Sequence, residues 1–400
     1  MNIVITGASG FVGRAVTPQL VRAGANVVVA GRKPDRLANL FNDLQVCGYD
    51  EIGSRIRGFD LVVHLAASNN HTGASIEEAE EVNARFALEV AQKAAQAGVR
   101  KFIYFSSVHA LDASNRGAYA QSKRTGASLL EQVQGIEVKI LYLPAVVASR
   151  FAGKLAILNR WPGPVRRLVF RLLSSLKPTV HVDRITETIL SFATSSSVET
   201  SNDLLSDTQM NNRIYQSVKR IADLAAALTV LVLFWWLLVA IYVAVRLDTP
   251  GPGLFRQTRI GKNRKEFDCY KFRSMAVNTP SVATHDVAPQ AVTRVGGLLR
   301  RTKLDELPQV WNILRNEMSL IGPRPCLPNQ IELIEARETR GVLAIKPGIS
   351  GYAQINGIDM SNPTVLADWD GRYLALQSLV LDLKIAIWTL RGRGSGDKVR

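Results

Sequence analysis

The apolar residues of this chain follow three successive patterns. Up to about residue 206, short apolar runs alternate with amphipathic stretches, as in parallel strands separated by helices. From Leu224 to Val245 the chain reads LAAALTVLVLFWWLLVAIYVAV and contains no charged residue. Beyond about residue 247 it is basic and rich in Gly-Pro turns. We therefore predict a parallel-sheet α/β domain, then a membrane-inserted helix, then a small, mainly helical α/β domain.

The uncharged segment is long enough to match a bilayer. Its 22 residues would form a helix of roughly 33 Å, close to the thickness of a bilayer core. The alternative is a buried helix of a soluble protein. We place the first domain, a linker or interfacial helix, the membrane helix and the last domain at residues 1–207, 208–222, 223–247 and 248–400.

The composition limits the kinds of partner. Hydrophobic residues make up 47% of the chain and the net charge is +15, which suits nucleic acid, an anionic membrane surface or phosphorylated substrates. Nucleic-acid binding would explain neither the uncharged segment nor the acidic pair Asp305-Glu306, so we expect no nucleic-acid partner. The three cysteines are unclustered, which fits a reducing compartment and gives no zinc spacing.

A glycine loop follows the first apolar run. Gly7, Gly10 and Gly13 form G-x-x-G-x-x-G between the strand NIVIT and an amphipathic helix. Such glycines let the backbone approach a pyrophosphate at a helix N-terminus, which predicts a Rossmann-like dinucleotide site. The second strand is followed by Arg32 rather than by an acid, which favours the 2′-phosphate of NADP(H) over NAD(H). Alternatively, Arg32 is merely solvated.

Further motifs carry a family resemblance over about residues 1–207. They are LVVHLAA (61–67), KFIYFSSVHA (101–110), YAQSK (119–123) and VHVDRITETIL (180–190). With the glycine loop, they resemble the extended short-chain dehydrogenase/reductase family, specifically its nucleotide-sugar epimerases, dehydratases and 4-keto reductases. The resemblance implies a catalytic set of Ser107, Tyr119 and Lys123. Tyr119 and Lys123 share a helix face, so we expect the ammonium to lower the pKa of the phenol and Ser107 to bind the reacting carbonyl.

The first domain departs from that family on the sugar-binding side. It is shorter than typical members, and Tyr142 stands where the family often has arginine. The stretch 159–178, NRWPGPVRRLVFRLLSSLKP, is basic and amphipathic. It could bind a diphosphate, lie on a membrane or form a solvated face.

The second half has its own resemblance, over about residues 219–390. RLDTPGPGLFRQTRIGKNRKEFDCYKFRSM (246–275), RVGGLLRRTKLDELPQVWNILRNEMSLIGPRP (294–325) and KPGISGYAQINGI (346–358) appear in order. They resemble the bacterial sugar transferases, the monotopic polyprenyl-phosphate phosphoglycosyl transferases, whose adjacent Asp-Glu pair is catalytic. That pair maps to Asp305 and Glu306. The alternative is ordinary helix capping, with Asp305 as N-cap, Glu306 at N1 and Pro308 in the first turn.

The resemblance implies covalent chemistry. Asp305 would attack the phosphorus attached to the sugar of a UDP-sugar and expel UMP, and undecaprenyl phosphate would then capture the phosphosugar. Mg²⁺ would bridge phosphate oxygens with Glu306 as a ligand. Arg324 is the first candidate for binding the substrate phosphate, and Arg300, Arg301 and Lys271 are weaker candidates.

The membrane segment differs from the family in one respect. Family members carry a Ser-Pro break midway and re-enter the leaflet, whereas Trp235-Trp236 stands at that position here and no proline forces a kink. Because NADPH and nucleotide sugars are cytosolic, both domains need the same side of the membrane. We therefore predict a re-entrant helix pair, although a spanning helix is an alternative.

These expectations combine into one hypothesis. The chain would be a bifunctional enzyme on the cytoplasmic face of a bacterial inner membrane, in contact with membrane lipid. It would reduce or epimerise a UDP-4-keto sugar, 6-deoxy and N-acetylated, and then transfer the phosphosugar to undecaprenyl phosphate to start a surface glycan. In the alternative, the first domain is a non-catalytic nucleotide-binding module that regulates the transferase. The sequence leaves open whether the enzyme is a homodimer.

Overall fold

The computed structural model describes residues 1–68, 75–151, 153–195, 203–277, 279 and 291–394. The chain divides into two compact units. Unit 1 comprises Met1–Arg167 and Pro178–Asp207, and unit 2 comprises Leu168–Lys177 and Thr208–Arg400. The segment 168–177 therefore groups with the second unit, although the sequence pattern placed it in the first domain.

Unit 1 is built on a parallel sheet. Its strands are β1 (Asn2–Thr6), β2 (Asn26–Ala30), β3 (Gln45–Cys47), β4 (Leu61–His64), β5 (Lys101–Ser107), β6 (Glu137–Leu143), β7 (Ala145–Val147), β8 (Thr179–His181) and β9 (Asp203–Leu204). In the described part of the chain, seven of them form a sheet in the order β3-β2-β1-β4-β5-β6-β9, and β7 pairs with β8. The strand order reverses beside β1, where ligands bind in open α/β sheets. The predicted Rossmann-like fold is confirmed.

Helices cover both faces of this sheet. They are α1 (Phe11–Arg22), α2 (Pro34–Ala38), α3 (Ile52–Arg55), α4 (Ile76–Glu80), α5 (Phe86–Gln96), α6 (Ala118–Leu130) and α8 (Val182–Thr194). Most of helix α7 (Gly163–Leu176) falls in the segment 168–177, which groups with unit 2. Two hydrophobic clusters, one on each face, enclose the strands. Because both faces are covered, the central strands are nearly continuous apolar runs rather than alternating ones.

Unit 2 is mainly helical, as predicted. Its helices are α9 (Arg213–Leu233), α10 (Trp235–Asp248), α11 (Arg294–Thr302), α12 (Val310–Leu314), α13 (Ile331–Thr339), α14 (Tyr352–Ile355), α15 (Pro363–Leu376) and α16 (Leu379–Leu390). Its strands are β10 (Leu254–Ile260) and β11 (Glu266–Phe272), which are antiparallel, and β12 (Ser319–Ile321) and β13 (Gly348–Ser350), which are parallel.

The uncharged segment forms two helices rather than one. Within the described residues no single helix is long and apolar enough to span a membrane, but α9 and α10 together meet that test and are bent by 68°. Helix α9 begins at Arg213, so it also includes most of the predicted linker 208–222. The bend lies beside Trp235, where the family resemblance places a break.

A tryptophan side chain satisfies the backbone at this bend. The N–H of Leu237 donates to the carbonyl of Phe234 at 3.0 Å, so it does not complete the helical bond to the carbonyl of Leu233. The indole Nε1–H of Trp236 donates to that Leu233 carbonyl instead, at 3.1 Å. The bend therefore has a hydrogen-bond donor of its own, without proline.

A buried polar cluster anchors the start of α9. The Asp382 carboxylate accepts hydrogen bonds from the Tyr215 hydroxyl at 2.8 Å, the Tyr373 hydroxyl at 2.8 Å and the Lys219 ammonium at 2.9 Å. Breaking a buried ion pair by removing one partner is strongly destabilising. This cluster therefore fixes α9 against α15 and α16.

An arginine anchors the end of α10. The buried Arg273 guanidinium donates to the carbonyls of Pro250 at 2.6 Å and Thr249 at 2.7 Å, just past the last turn. Terminal carbonyls of a helix lack intrahelical partners, and a cation there also complements the helix dipole. The start of α9 and the end of α10 are thus both held by other elements of unit 2, whereas Trp235 near the bend is 60% exposed.

Candidate active sites

The acidic pair lies in a tight turn between two helices. Lys303 adopts a left-handed conformation, with φ of 59°, and ends α11. A 3₁₀ turn over Leu304–Gln309 follows and contains Asp305 and Glu306. The N-cap position of that turn is Lys303, which makes no side-chain capping bond. The alternative interpretation of Asp305 as a helix N-cap is therefore wrong.

Two cations hold the Glu306 carboxylate. Its Oε1 lies 3.1 Å from Lys271 Nζ and 3.3 Å from Arg324 Nη1. Burial alone would raise the pKa of Glu306, but the charges of Lys271 and Arg324 outweigh burial and lower that pKa to about 2. Glu306 is therefore ionised, and two of the predicted phosphate-binding side chains, Lys271 and Arg324, converge on it.

Asp305 has the opposite electrostatic balance. Burial and the neighbouring Glu306 carboxylate raise its pKa, and the charges of Lys271, Arg300 and Arg324 oppose them only partly. The two adjacent carboxyl groups thus differ, since Glu306 is strongly stabilised as an anion and Asp305 is not. A less stabilised carboxylate is the more basic one and is better suited to form a covalent bond.

The pair opens onto a cleft of about 620 Å³ in unit 2. Asp305, Glu306, Lys271 and Arg324 all line it. The structure gives no support to the phosphate-binding prediction for Arg301. Among the described residues Arg301 is not part of the lining; its exposed side chain donates to the Gly297 carbonyl at 3.3 Å.

The structure leaves the predicted magnesium site incomplete. The described residues hold no group of three acidic, histidine or cysteine side chains arranged for a metal. Mg²⁺ commonly takes one or two carboxylates and completes its shell with water and substrate phosphates. Asp305 and Glu306 fit that kind of site, although Oε1 of Glu306 already contacts two cations. The assignment of Glu306 as a metal ligand remains a prediction.

The glycine loop of unit 1 fits a bound pyrophosphate. Gly7 has φ of +72°, and a Cβ there would lie 2.4 Å from the Ala66 nitrogen. A Cβ on Gly13 would lie 2.5 Å from the Cα of Ala8, so this glycine lets α1 pack against the loop. Gly10 is the N-cap of α1 and offers no side chain to the first N–H groups of the helix. Those groups remain available to an anion.

Two of the three predicted catalytic side chains of unit 1 meet. Ser107 ends β5, and its hydroxyl is near enough to the phenol of Tyr119, which α6 carries, to lower the pKa of that phenol. Lys123, also on α6, is buried and its Nζ donates to the Phe105 carbonyl at 2.8 Å. Arg32, the candidate for the cofactor 2′-phosphate, is exposed just after β2.

The expected lowering of the Tyr119 pKa is wrong in this structure. Burial raises the pKa of Tyr119, and the nearby Ser107 hydroxyl offsets this only in part. The Lys123 ammonium is directed at the strand carbonyl, and burial lowers its own pKa to about 7. A partly neutral lysine provides little charge to stabilise a phenolate.

Sequence reasoning missed one residue of this site. Asn83 lies fully buried in a single π-helical turn, Glu81–Arg85. Its side chain accepts from the N–H of Ser68 at 3.0 Å and donates to Ser122 Oγ at 3.0 Å, so it ties the loop after β4 to α6. A π turn often marks a functional site, but apolar periodicity does not detect it.

Comparison with known proteins agrees with the family resemblance of each half of the chain. Residues 214–393 match the family model for bacterial sugar transferases, and residues 3–158 match that of the NAD dependent epimerase/dehydratase family. The chain is 32% identical over 270 residues to the UDP-N-acetylgalactosamine-undecaprenyl-phosphate N-acetylgalactosaminephosphotransferase of Aeromonas hydrophila, covering 64% of this chain and 62% of that protein. The chain thus spans less than two thirds of that relative.

Two further relatives are covered more fully. The UDP-glucose:undecaprenyl-phosphate glucose-1-phosphate transferase of Caulobacter vibrioides is 38% identical over 183 residues, which is 43% of this chain and 68% of that protein. The Klebsiella pneumoniae protein of the same name is 33% identical over 312 residues, 69% of this chain and 67% of its own length.

Solved structures resemble about half of the chain, and only distantly. The Bordetella bronchiseptica enzyme WbmG in complex with NAD has a TM-score of 0.41 and 19% identity, covering 52% of this chain and 72% of its own. The UDP-glucuronic acid 4-epimerase of Bacillus cereus in complex with NAD has a TM-score of 0.41 and 16% identity, covering 52% and 78%. From its second half, this chain belongs to the bacterial sugar transferase family, and a region that matches the model of the NAD dependent epimerase/dehydratase family precedes that half.

Proposed function

We propose that unit 2 transfers a sugar 1-phosphate from a UDP-sugar to undecaprenyl phosphate. The observation that carries this proposal is the unequal acidic pair. Asp305 is a weakly stabilised carboxylate beside Glu306, which Lys271 and Arg324 hold as an anion in the same cleft. The relatives that match this half are named as transferases of sugar phosphates to undecaprenyl phosphate.

The chemistry follows from that arrangement in two displacements. An Asp305 oxygen attacks the phosphorus that bears the sugar, and the bond from that phosphorus to UMP breaks. A phosphate oxygen of undecaprenyl phosphate then attacks the same phosphorus and releases Asp305 as a carboxylate. Lys271 and Arg324 supply positive charge for the diphosphate. Arginine suits this role because its planar fork matches phosphate oxygens.

Mg²⁺ would be held by the Glu306 carboxylate together with oxygens of the bound diphosphate. The ion would neutralise charge on the phosphates and so reduce their repulsion toward an anionic nucleophile. Lys271 and Arg324 contact one oxygen of Glu306. These two cations therefore keep Glu306 ionised and oriented before a metal arrives.

The bent helix pair would attach the enzyme to the cytoplasmic face of the inner membrane. We propose that α9 enters one leaflet and α10 returns from it. Val232 is 66% exposed in the described structure, and the nearby Trp235 is also largely exposed, so their apolar surface needs a cover. Cysteines introduced before Asp223 and after Arg246 should both resist labelling from the periplasm, and labelling at either end would contradict re-entry.

Helix α7 would rest on the lipid headgroups. Leu168, Leu172 and Leu176 form one exposed apolar stripe, and Arg167 and Arg171 lie elsewhere on the same helix. Ser175 is the helix's buried residue. An apolar stripe with basic neighbours is typical of helices at an anionic membrane surface. Of the three interpretations of 159–178, we therefore favour membrane contact.

For unit 1 we propose reduction or epimerisation of a UDP-4-keto sugar with NADP(H). When bound, the nicotinamide would exchange a hydride with the sugar carbon. Ser107 would bind the carbonyl oxygen and Tyr119 would exchange a proton with it, which the proximity of the two hydroxyl groups supports. Arg32 would contact a 2′-phosphate, which distinguishes NADP(H) from NAD(H).

The second candidate function for unit 1 is a non-catalytic nucleotide-binding module. Two observations favour this second function: the pKa of Tyr119 is raised, and the Lys123 ammonium donates to the Phe105 carbonyl. Incubation with UDP-4-keto-6-deoxy-GlcNAc and NADPH discriminates between the two. Oxidation of NADPH supports reduction, and conversion of the sugar to its epimer without net oxidation supports epimerisation. Neither change with any 4-keto nucleotide sugar supports the regulatory module.

The transferase proposal has a direct test. Purified protein in lipid nanodiscs should release more than one UMP per enzyme molecule from a UDP-sugar only when undecaprenyl phosphate is present, and should place the labelled sugar in the lipid. Asp305→Asn should abolish the lipid product. Arg301→Gln, which changes an exposed arginine outside the cleft lining, serves as the matched control and should retain it. Equal activity of Asp305→Asn would refute the proposal.

A further inference from the structure

A second polar group lines the cleft that holds the acidic pair. Ser350 ends β13, Gln354 lies on α14 and Thr389 lies on α16, and all three line the cleft. The Oε1 atom of Gln354 is buried and has no hydrogen-bond partner. Buried polar atoms are nearly always paired, so an unpaired acceptor on a side chain that lines a cleft needs a donor from water or from a ligand.

The hydroxyl groups of this corner also have spare acceptor capacity. The Thr389 hydroxyl donates its hydrogen to the Ile385 carbonyl at 2.8 Å. Because a hydroxyl carries one hydrogen, Ser350 must be the donor in the 2.5 Å bond that joins Ser350 Oγ and Thr389 Oγ1. The lone pairs of Ser350 Oγ then remain. The corner therefore suits a ligand group that donates hydrogen bonds.

This corner is close to the acidic turn through the chain itself. Lys303, two residues before Asp305, donates from Nζ to the Arg393 carbonyl at 3.0 Å. The next residue, Gly394, packs against Gln354, since a Cβ on Gly394 would lie 3.1 Å from the Gln354 carbonyl oxygen. One lysine side chain and one short backbone segment thus connect the turn to the corner.

We infer that Gln354 binds the uracil base of the nucleotide sugar. This inference rests on the proposed transferase function. Diphosphates and polyprenyl chains have no N–H donor, whereas uracil presents its N3–H beside the O4 acceptor. A glutamine amide presents an acceptor beside a donor and matches that edge with two parallel hydrogen bonds. The competing assignment is a sugar hydroxyl group, which also donates.

The test uses UMP, which contains the base and one phosphate but no sugar. Calorimetry on the full chain in nanodiscs compares UMP with N3-methyl-UMP, which lacks the N3–H donor. The wild-type protein should prefer UMP by about tenfold or more, the usual effect of leaving a buried polar group unpaired. Gln354→Met should bring that preference close to one.

The preference is the ratio of the two dissociation constants measured on the same variant. A substitution that weakens the binding of both nucleotides equally therefore leaves this ratio unchanged. A wild-type ratio near one, or an unchanged ratio in Gln354→Met, would overturn the assignment. A change in preference among UDP-sugars without a change in UMP binding would place Gln354 at the sugar and would also overturn it. Gln354→Asn, which keeps the amide on a shorter side chain, provides a second variant and should lower the ratio only in part.

The outcome is separable from the proposed function. If UMP does not bind the wild-type protein at all, the proposed use of a UDP-sugar fails. If UMP binds wild-type and Gln354→Met equally well while phosphosugar transfer continues, only the uracil site fails. Asp305→Asn should keep the ratio of the wild-type protein, because the base does not contact the nucleophile.

Discussion

The bend between α9 and α10 should depend on one indole group. Trp236→Phe removes the donor to the Leu233 carbonyl and keeps an aromatic ring. In a straight helix that carbonyl would regain the Leu237 N–H as its partner. The substitution therefore favours the straight form by about 1–2 kcal/mol, the net worth of a hydrogen bond together with the cost of an orphaned carbonyl. That energy shifts the ratio of bent to straight forms by a factor of roughly 5 to 30.

The geometry makes the two forms distinguishable. Spin labels at Ile221 and Leu247, both largely exposed, lie thirteen residues on either side of Phe234, or about 20 Å of helix on each side. A straight helix would separate them by about 39 Å. The observed bend of 68° reduces that separation to about 32 Å for the same rise per residue.

Pulsed electron resonance on the labelled chain in nanodiscs measures this distance. The native cysteines are buried, so labels go to the introduced ones. We expect about 32 Å in the parent, and a broader distribution with a component near 39 Å in Trp236→Phe. Trp235→Phe is the matched control and should resemble the parent. Identical distributions for Trp236→Phe and the parent would refute this account of the bend.

Three further outcomes are expected. Tyr119→Phe should reduce NADPH oxidation by a 4-keto nucleotide sugar about 100-fold while phosphosugar transfer continues; an unchanged rate would exclude Tyr119 as the acid. Asp382→Asn should lower the free energy of unfolding by about 3–5 kcal/mol, because it leaves the Lys219 ammonium buried without its counter-charge. In thermal unfolding the double variant Asp382→Asn with Lys219→Met should lose less stability than Asp382→Asn alone. An equal or larger loss of stability in the double variant would contradict the role of this pair. Asp305 must be ionised to attack, so the transfer rate falls as the pH falls through the pKa of Asp305. Lys271→Met removes a charge that lowers this pKa, so the acid limb of the rate profile should move to higher pH. A move of that limb to lower pH would contradict the assigned electrostatics.

The sequence predicted the elements whose signal is local. The sheet strands of unit 1 are buried on both faces and appear as apolar runs, and the glycine loop has strict steric requirements at Gly7 and Gly13. The bend position also followed from the family resemblance. The grouping of 168–177 with unit 2 could not be predicted from the sequence, because the pattern of a surface helix with an exposed apolar stripe does not indicate which core the helix adjoins.

The site was predictable as a set of residues but not as a geometry. The sequence pattern around Asp305 is that of a helix N-cap. The structure differs because the left-handed backbone of Lys303 ends α11 two residues earlier, so that Asp305 lies inside the following turn. Lys123 has the spacing to approach Tyr119, yet a strand carbonyl offers a closer partner to its ammonium. Asn83 and Gln354 carry no distinctive pattern, since their importance comes from contacts distant in sequence.

The central claim is that phosphorus becomes bonded to Asp305 during turnover. Intact-protein and peptide mass spectrometry after mixing with a UDP-sugar and Mg²⁺, without undecaprenyl phosphate, tests it most directly. We predict a phosphosugar adduct on the peptide that contains Asp305, its absence in Asp305→Asn, and its disappearance when undecaprenyl phosphate is added. No adduct while transfer proceeds, or an adduct that persists in Asp305→Asn, would contradict the account.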